Sequence, residues 1–368
     1  MIKKIALPLI MLVGLTFVAC GDGDYQENPS NPSNQYITGR YFSSPEKIGI
    51  VLNGEYTIFF QGEDYLEQVL LEVPSSIAVF LASGEIHYIE NFAGARLASR
   101  QGHHQDNDNV DLVLSDGTFF PNIAGIIADP PKTPITQVYD DALQLLQEGH
   151  RVMIVVLDGW GWHMQRYHAL YQPFLNRDAA KAYTVFPPYT PVAMSSIFTG
   201  QTPNVHGVHD RATRTMSAPD IFTAAYDLGF SSTRVQGGVN IVQTSVLSAL
   251  IPNLGHVFDT DRGVFDATLA RINDSDLVFV HFNSIDDISH TYGPYSPQVA
   301  EAMAFVDDLV RALAEEWDGM MIITGDHGQH YLGQEGRLGD HLWVSHEDIF
   351  VPYLIIDASM YRCIFCPV

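Results

Sequence analysis

Beyond residue 150, short continuous apolar runs alternate with stretches whose apolar positions recur at helical spacing. The runs Val152–Leu157, 182–186, 231–235, Leu277–Phe282, 320–324 and 351–356 predict strands. The stretches 221–228 and 296–317 predict helices, and in the longer one Val299, Met303, Val306, Leu309, Val310 and Leu313 share a face. Strands that are apolar throughout have no side to turn to water. They predict an α/β fold over 150–368, a mostly parallel sheet sandwiched by helices. Upstream the pattern changes. Residues 37–149 read as a small β-rich region of short strands, Ile48–Leu52, Tyr56–Phe60, Ile77–Leu81 and 85–89, broken by turn residues. The region closes with a helix over 137–149, with Val138, Ala142, Leu145 and Leu146 on its apolar face. Within it, 101–109 (QGHHQDNDN) reads as an exposed polar loop carrying His103 and His104.

The first segment has another logic. Lys3 and Lys4 precede an almost unbroken apolar run that ends Phe17-Val18-Ala19-Cys20. The run is too short for a comfortable membrane span. It resembles a bacterial lipoprotein signal over 1–19, which implies lipidation of Cys20 and an exported, membrane-anchored protein facing the periplasm or the cell exterior. Phe17 stands where Leu is more usual in such signals. Residues 20–36 are polar and rich in Pro and Asn, and read as a tether. Across 368 residues the formal charge is −24, which excludes a nucleic-acid partner held by phosphate neutralisation. Three cysteines are too few for a disulfide scaffold; Cys363 and Cys366 allow one small bridge or two free thiols.

Fifteen histidines in so acidic a chain direct attention to metal chemistry. Open α/β sheets place their sites outside the carboxyl ends of the strands. Three predicted strands end there in acids: Asp158-Gly159, Asp286-Asp287-Ile288-Ser289-His290, and Gly325-Asp326-His327-Gly328. One such Asp is an ordinary cap or turn residue; three, two of them with His, are hard to explain so. Asp286 and His290 lie four apart, so one helical turn places both on the same face. His341 follows in a Gly-rich stretch, with His346 as its nearest rival. Asp158, Asp286, Asp326, His290, His327 and His341 make an oxygen and nitrogen set without thiolate, suited to Zn²⁺ or Mn²⁺. Six ligands exceed the need of one tetrahedral ion and suit two divalent ions about 4 Å apart. Two such ions against three carboxylates leave a slightly positive pocket for a phosphate- or sulfate-like anion. Thr190 reads as a helix N-cap, with Pro191 as the first helical residue and Gly200 as the stop. It is either an ordinary cap or a hydroxyl that a metal would activate.

In order along 150–356, these residues resemble the alkaline phosphatase superfamily and its nucleotide pyrophosphatase/phosphodiesterase-like branch. The match takes in Asp158-Gly159, Thr190 through Ser196-Ile197-Phe198-Thr199-Gly200, Pro203 and His206-Gly207. It continues with Asp286, His290 and Gly293-Pro294, then Gly325-Asp326-His327-Gly328, His341 and Val351-Pro352. The resemblance implies that Asp158, Thr190, Asp326 and His327 hold one metal and that Asp286, His290 and His341 hold the other. It further implies that Thr190 attacks phosphorus in line, forms a phospho-threonine, and is released by water. The substrate so implied is a small phosphate ester, a monoester or a diester. Arg211 stands where that branch generally has an Asn touching a phosphoryl oxygen; its full charge leans the reading towards dianionic monoesters.

The nucleophile segment lacks the C-x-P-x-R pattern of sulfatases. The serine nucleophile and large inserted domain of cofactor-independent phosphoglycerate mutases are missing as well. No G-x-S-x-G elbow supports an acyl hydrolase. The alternative from another class is a surface-tethered binding protein, an inactive relative that keeps the metal-binding fold. Metal uptake without any ester hydrolysis discriminates it from the enzyme.

Overall fold

The computed structural model describes residues 48–60, 64–70, 73–99 and 110–361. Cys20, the segments 1–19 and 20–36, His103, His104, Cys363 and Cys366 lie outside the described residues.

Val152–Leu157 is apolar at all six positions and buried at each, so it takes the middle of the large sheet. It pairs in parallel with Leu277–Phe282 on one side and Met320–Gly325 on the other. Alternate residues face opposite ways. Met153, Val155 and Leu157 pack under the long helix Pro297–Glu316. Val152, Ile154 and Val156 pack under Gln137–Gln147, Thr190–Thr199 and Ile221–Asp227. Full burial of such a side chain contributes about 1.5–3 kcal/mol. The fold is therefore the α/β sandwich that the apolar runs predict, with the β-rich region before it.

The eight-stranded order is Thr133–Pro134, Ala180–Tyr183, Phe350–Asp357, Met320–Gly325, Val152–Leu157, Leu277–Phe282, Ser232–Gly237 and Ser248–Ile251. Three details depart from the sequence pattern. Phe350–Asp357 runs antiparallel to both neighbours. The chain from Gly325 to Ile349 stays at the carboxyl end of the sheet without a crossover helix, so the next strand must descend. The strand expected at 182–186 lies at Ala180–Tyr183, and 184–189 carries the chain across the sheet end. Residues 133–147, grouped by pattern with the β-rich region, join the large sheet: Thr133–Pro134 pairs with Ala182 and Tyr183, and Gln137–Gln147 buries Val138, Ala142 and Leu146 against it.

The β-rich region is built from a five-stranded and a four-stranded sheet. One face of the larger sheet packs into the region's own core through Ile48, Ile50, Leu52 and Val79. Its other face, with Val51, Ala78, Phe80 and Ile127, packs on Val344, Ile349 and Phe350. Among the described residues no helix is long and apolar enough to cross a membrane.

Candidate metal centre and nucleophile

Sheet register brings the first two acids together. Leu157 and Gly325 are partners across adjacent parallel strands, so Asp158 and Asp326 leave the sheet side by side. Gly159 follows at φ 72, and a Cβ there would stand 3.0 Å from Asp286. Asp326 Oδ1 accepts from Gly159 N at 3.1 Å and from His327 N at 2.9 Å. Its Oδ2 is buried with no hydrogen-bond partner. Asp158 Oδ1 lies 3.4 Å from His327 Nε2. Burial, then repulsion from Asp326 and Asp286, pushes the Asp158 carboxyl well above the usual range. Crowded carboxylates with an orphaned oxygen fit a cation.

The second group comes from a helix and a distant segment. Asp286 and His290 share a face of Ser284–Tyr292, with 3.3 Å between Oδ2 and Nε2. Buried Asp261 fixes the start of that helix, accepting from Asn283 N at 3.0 Å and Ser284 N at 2.9 Å. His341 enters from beyond the hairpin of His330–Gln334 and Arg337–Asp340. Its ring lies 4.0 Å from that of His327 and 5.1 Å from that of His290, centroid to centroid. Burial opposes a charged His290, but the Asp286 carboxylate outweighs it and pushes the pKa up to about 9. Burial, then His327, holds His341 well below the ordinary value.

One pattern unites the three imidazoles. Nδ1 of His327 faces Gly328 O at 3.0 Å, Nδ1 of His290 faces Gly339 O at 2.9 Å, and Nδ1 of His341 faces Pro188 O at 2.9 Å. A carbonyl only accepts, so each Nδ1–H donates, and each ring in its neutral form offers the Nε2 lone pair. Metal-binding histidines are oriented in this way. Asp158, Asp326 and His327 bring ligand atoms within 4.8 Å of one another, and Asp286, His290 and His341 do the same. These donors fit two divalent ions, one per cluster. His346 joins neither cluster; its Nδ1 lies 3.0 Å from Thr57 Oγ1.

Thr190 corrects the expected capping. Tyr189 is the N-cap, at φ −142 and ψ 134, and Thr190 is the first residue of a ten-residue helix buried throughout. The shift of one residue releases the hydroxyl from capping. Thr190 Oγ1 points instead at Asp158 Oδ1, 3.4 Å away, and at His327 Nε2, 3.2 Å away. It stands at the positive end of the helix. Arg211 meets this site through Tyr189: its Nε donates to the Tyr189 hydroxyl at 2.8 Å and its guanidinium lies 5.5 Å over the ring. Tyr189 in turn stacks on His341 at 5.7 Å.

Two neighbours were not anticipated. His281 Nε2 lies 3.2 Å from Asp158 Oδ2, fully buried and off the hydrogen-bonding direction. Its signal was a single imidazole in the apolar run LVFVHF. Gln329 donates to the Asp286 carboxylate, and its signal was an amide directly after Asp326-His327-Gly328.

The family described as type I phosphodiesterase / nucleotide pyrophosphatase matches residues 152–217 and 225–342. The catalytic subunit of mouse GPI ethanolamine phosphate transferase 3 is 29% identical over 121 residues, 32% of this chain and 10% of that protein. The chain thus spans about a tenth of the length of that curated relative. Among solved structures, phosphonoacetate hydrolase from Sinorhizobium meliloti 1021 in complex with phosphonoformate aligns with a TM-score of 0.41 at 21% identity, covering 49% of this chain and 57% of that one. Murine ectonucleotide pyrophosphatase / phosphodiesterase 5 gives 0.41 at 18%, covering 50% and 58%. The family match takes in half of the sequence and every residue of both clusters, and the chain belongs to the type I phosphodiesterase / nucleotide pyrophosphatase family.

Proposed function

We propose that this protein is a two-metal hydrolase of phosphoric esters that works through a phospho-threonine on Thr190. The observation that carries the reading is the Thr190 hydroxyl, turned away from capping and held between Asp158 and His327 at a helix N-terminus. Asp158, Asp326 and His327, with the Thr190 hydroxyl, would hold one divalent ion; Asp286, His290 and His341 would hold the other. Zinc suits these donors best, and manganese is the alternative. When bound, the ions supply Lewis acidity, which lowers the pKa of an attacking hydroxyl and offsets charge on phosphoryl oxygens.

The chain's own groups do the rest. Pro191 has no N–H, and Val192 N and Ala193 N donate to Tyr189 O at 2.9 Å, so the helix start favours the incoming anion through its dipole. Thr190 Oγ1 gives up its proton to solvent and bonds to phosphorus as the ester P–O bond breaks on the opposite side; the leaving oxygen departs with the bonding pair and takes a proton from water. Water then bonds to phosphorus as the Oγ1–P bond breaks, its proton restores the Thr190 hydroxyl, and phosphate, or a phosphomonoester from a diester, is freed. Arg211, braced on Tyr189, grips a non-bridging oxygen and favours dianionic monoesters over monoanionic diesters. The protein acts outside the cytoplasm, tethered through lipidated Cys20; mass spectrometry of the mature N-terminus tests this, and an intact Met1 would refute it.

The functional test is one screen. Zinc-loaded protein is assayed against aryl phosphomonoesters, phosphodiesters, phosphonates and sulfates, with Thr190→Ala alongside. Phosphoester turnover that disappears in the variant supports the reading. Stoichiometric zinc with no turnover of any ester favours the tethered binding protein.

A further inference from the structure

Resting on the two-metal reading, we propose that the N-terminal β region is part of the metal-binding apparatus: it grips the strap 342–348 and thereby positions His341. The other five cluster carboxylates and imidazoles sit at strand ends or on one helix. His341 follows the strand Arg337–Asp340 of the small hairpin, outside the large sheet, and leads straight into a segment with little regular structure of its own. Directly after it, Leu342 stands at φ 103, in the left-handed region that a leucine rarely enters. Something outside the strap must hold that turn in place.

Four residues of the β region make the closest contacts. Gly49 and Gly125 are partners across the parallel strands Ile48–Leu52 and Ile123–Ala128. Together they form a notch without side chains, and Val344 lies in it. A Cβ on Gly49 would meet Val344 O at 1.9 Å, and one on Gly125 would meet the Val344 side chain at 2.4 Å. Glycine inside a strand often marks such a close approach of another backbone. Next along the strap, His346 N donates to Thr57 Oγ1 at 2.9 Å, and His346 Nδ1 lies 3.0 Å from the same oxygen. Phe59 meets the edge of Trp343 at 5.5 Å. On the far side, Trp343 stacks on His330 at 3.8 Å and His330 Nδ1 lies 2.9 Å from Asp348 Oδ1; within the strap Asp348 accepts from Trp343 N at 2.9 Å. The strap is clamped between the two regions, with His341 at its start.

Thr57, Phe59, Gly49 and Gly125 are thus positioning residues for a ligand they do not touch. The readout is stepwise zinc affinity, measured by titration against a chromogenic chelator. Wild type takes two zinc ions, and His341→Ala marks the step that belongs to the Asp286–His290–His341 cluster. Thr57→Val/Phe59→Ala and, separately, Gly125→Val are expected to weaken that step by about tenfold or more while leaving the other unchanged, the scale on which loss of a ligand's supporting contacts is felt. If Gly125→Val fails to fold, the double variant, which inserts nothing into the notch, decides. Both steps unchanged, or both falling together, would overturn the inference. Fewer than two zinc ions in wild type would overturn the two-metal reading, and this inference with it.

Discussion

The two clusters of the candidate centre are held in opposite ways. Asp158, Asp326 and His327 leave neighbouring strands of one sheet, and register alone sets them side by side. All three are buried. Asp286 and His290 ride on a helix whose start is tied down by Asp261, while His341 stands between a small hairpin and a strap that the β-rich region contacts. The first cluster inherits the stiffness of the core. The second is assembled by long-range packing, next to a residue at φ 103 of a kind that costs about 1–3 kcal/mol. Ligand geometry and ligand support are therefore separate properties, and only the first is shared by the two clusters.

Chemistry gives the largest effect. Thr190 stands beside the sheet-end cluster, so Thr190→Ala is expected to lower kcat by about 10,000-fold or more, the scale of losing an attacking group. Zinc content is expected to stay near wild type, since both clusters keep their carboxylates and imidazoles. Near-normal turnover of an aryl phosphate by the variant would refute the covalent route. Next comes metal removal. Under a buffered chelator the helix-and-strap cluster is expected to release its zinc at least about tenfold faster than the sheet-end cluster. His341→Ala should abolish the fast phase and spare the slow one. If His341→Ala removed the slow phase instead, the contrast between the clusters would be reversed.

A smaller effect belongs to Arg211, which reaches the centre through Tyr189 between the two clusters. Arg211→Asn should lower monoesterase kcat/KM relative to diesterase kcat/KM by about tenfold, as a charge-assisted contact worth roughly 1.5 kcal/mol is lost. An unchanged ratio would mean that Arg211 serves Tyr189 and not the phosphate.

Legibility divided along the same line. The sheet-end cluster could be read because apolar runs ending in Asp-Gly and Gly-Asp-His carry both the strand and the ligand in one local pattern. Asp286 and His290 could be read from helical spacing. The support of His341 could not: Gly49 and Gly125 are 76 positions apart, and nothing local says that their strands pair and receive Val344. The orientation of the Thr190 hydroxyl was likewise hidden, because one residue's shift between cap and first turn changes its direction and leaves no trace in composition. His281 carries no local signal of a site, because an imidazole in an apolar strand has the pattern of packing and its partner Asp158 lies at another strand end.

The smallest effect tests whether the helix in the second cluster is as well defined as the comparison requires. Asp286 and Asp287 are adjacent acids in the first turn of Ser284–Tyr292. Asp286 is part of the cluster, whereas Asp287 is exposed to solvent. A carboxylate in a first turn interacts favourably with the helix dipole by about 0.3–1 kcal/mol, so Asp287→Asn is expected to cost no more than that in stability. It should leave zinc stoichiometry and kcat/KM within about twofold of wild type, as surface substitutions usually do. Asp286→Asn removes a donor that His290 and Gln329 both face, and should lose the same zinc that His341→Ala loses. Thermal unfolding and zinc titration of the two variants in parallel decide the matter. Were Asp287→Asn to lose the ion while Asp286→Asn kept it, the helix would be rotated by about 100° from the face assigned here, and His290 would no longer share a cluster with Asp286.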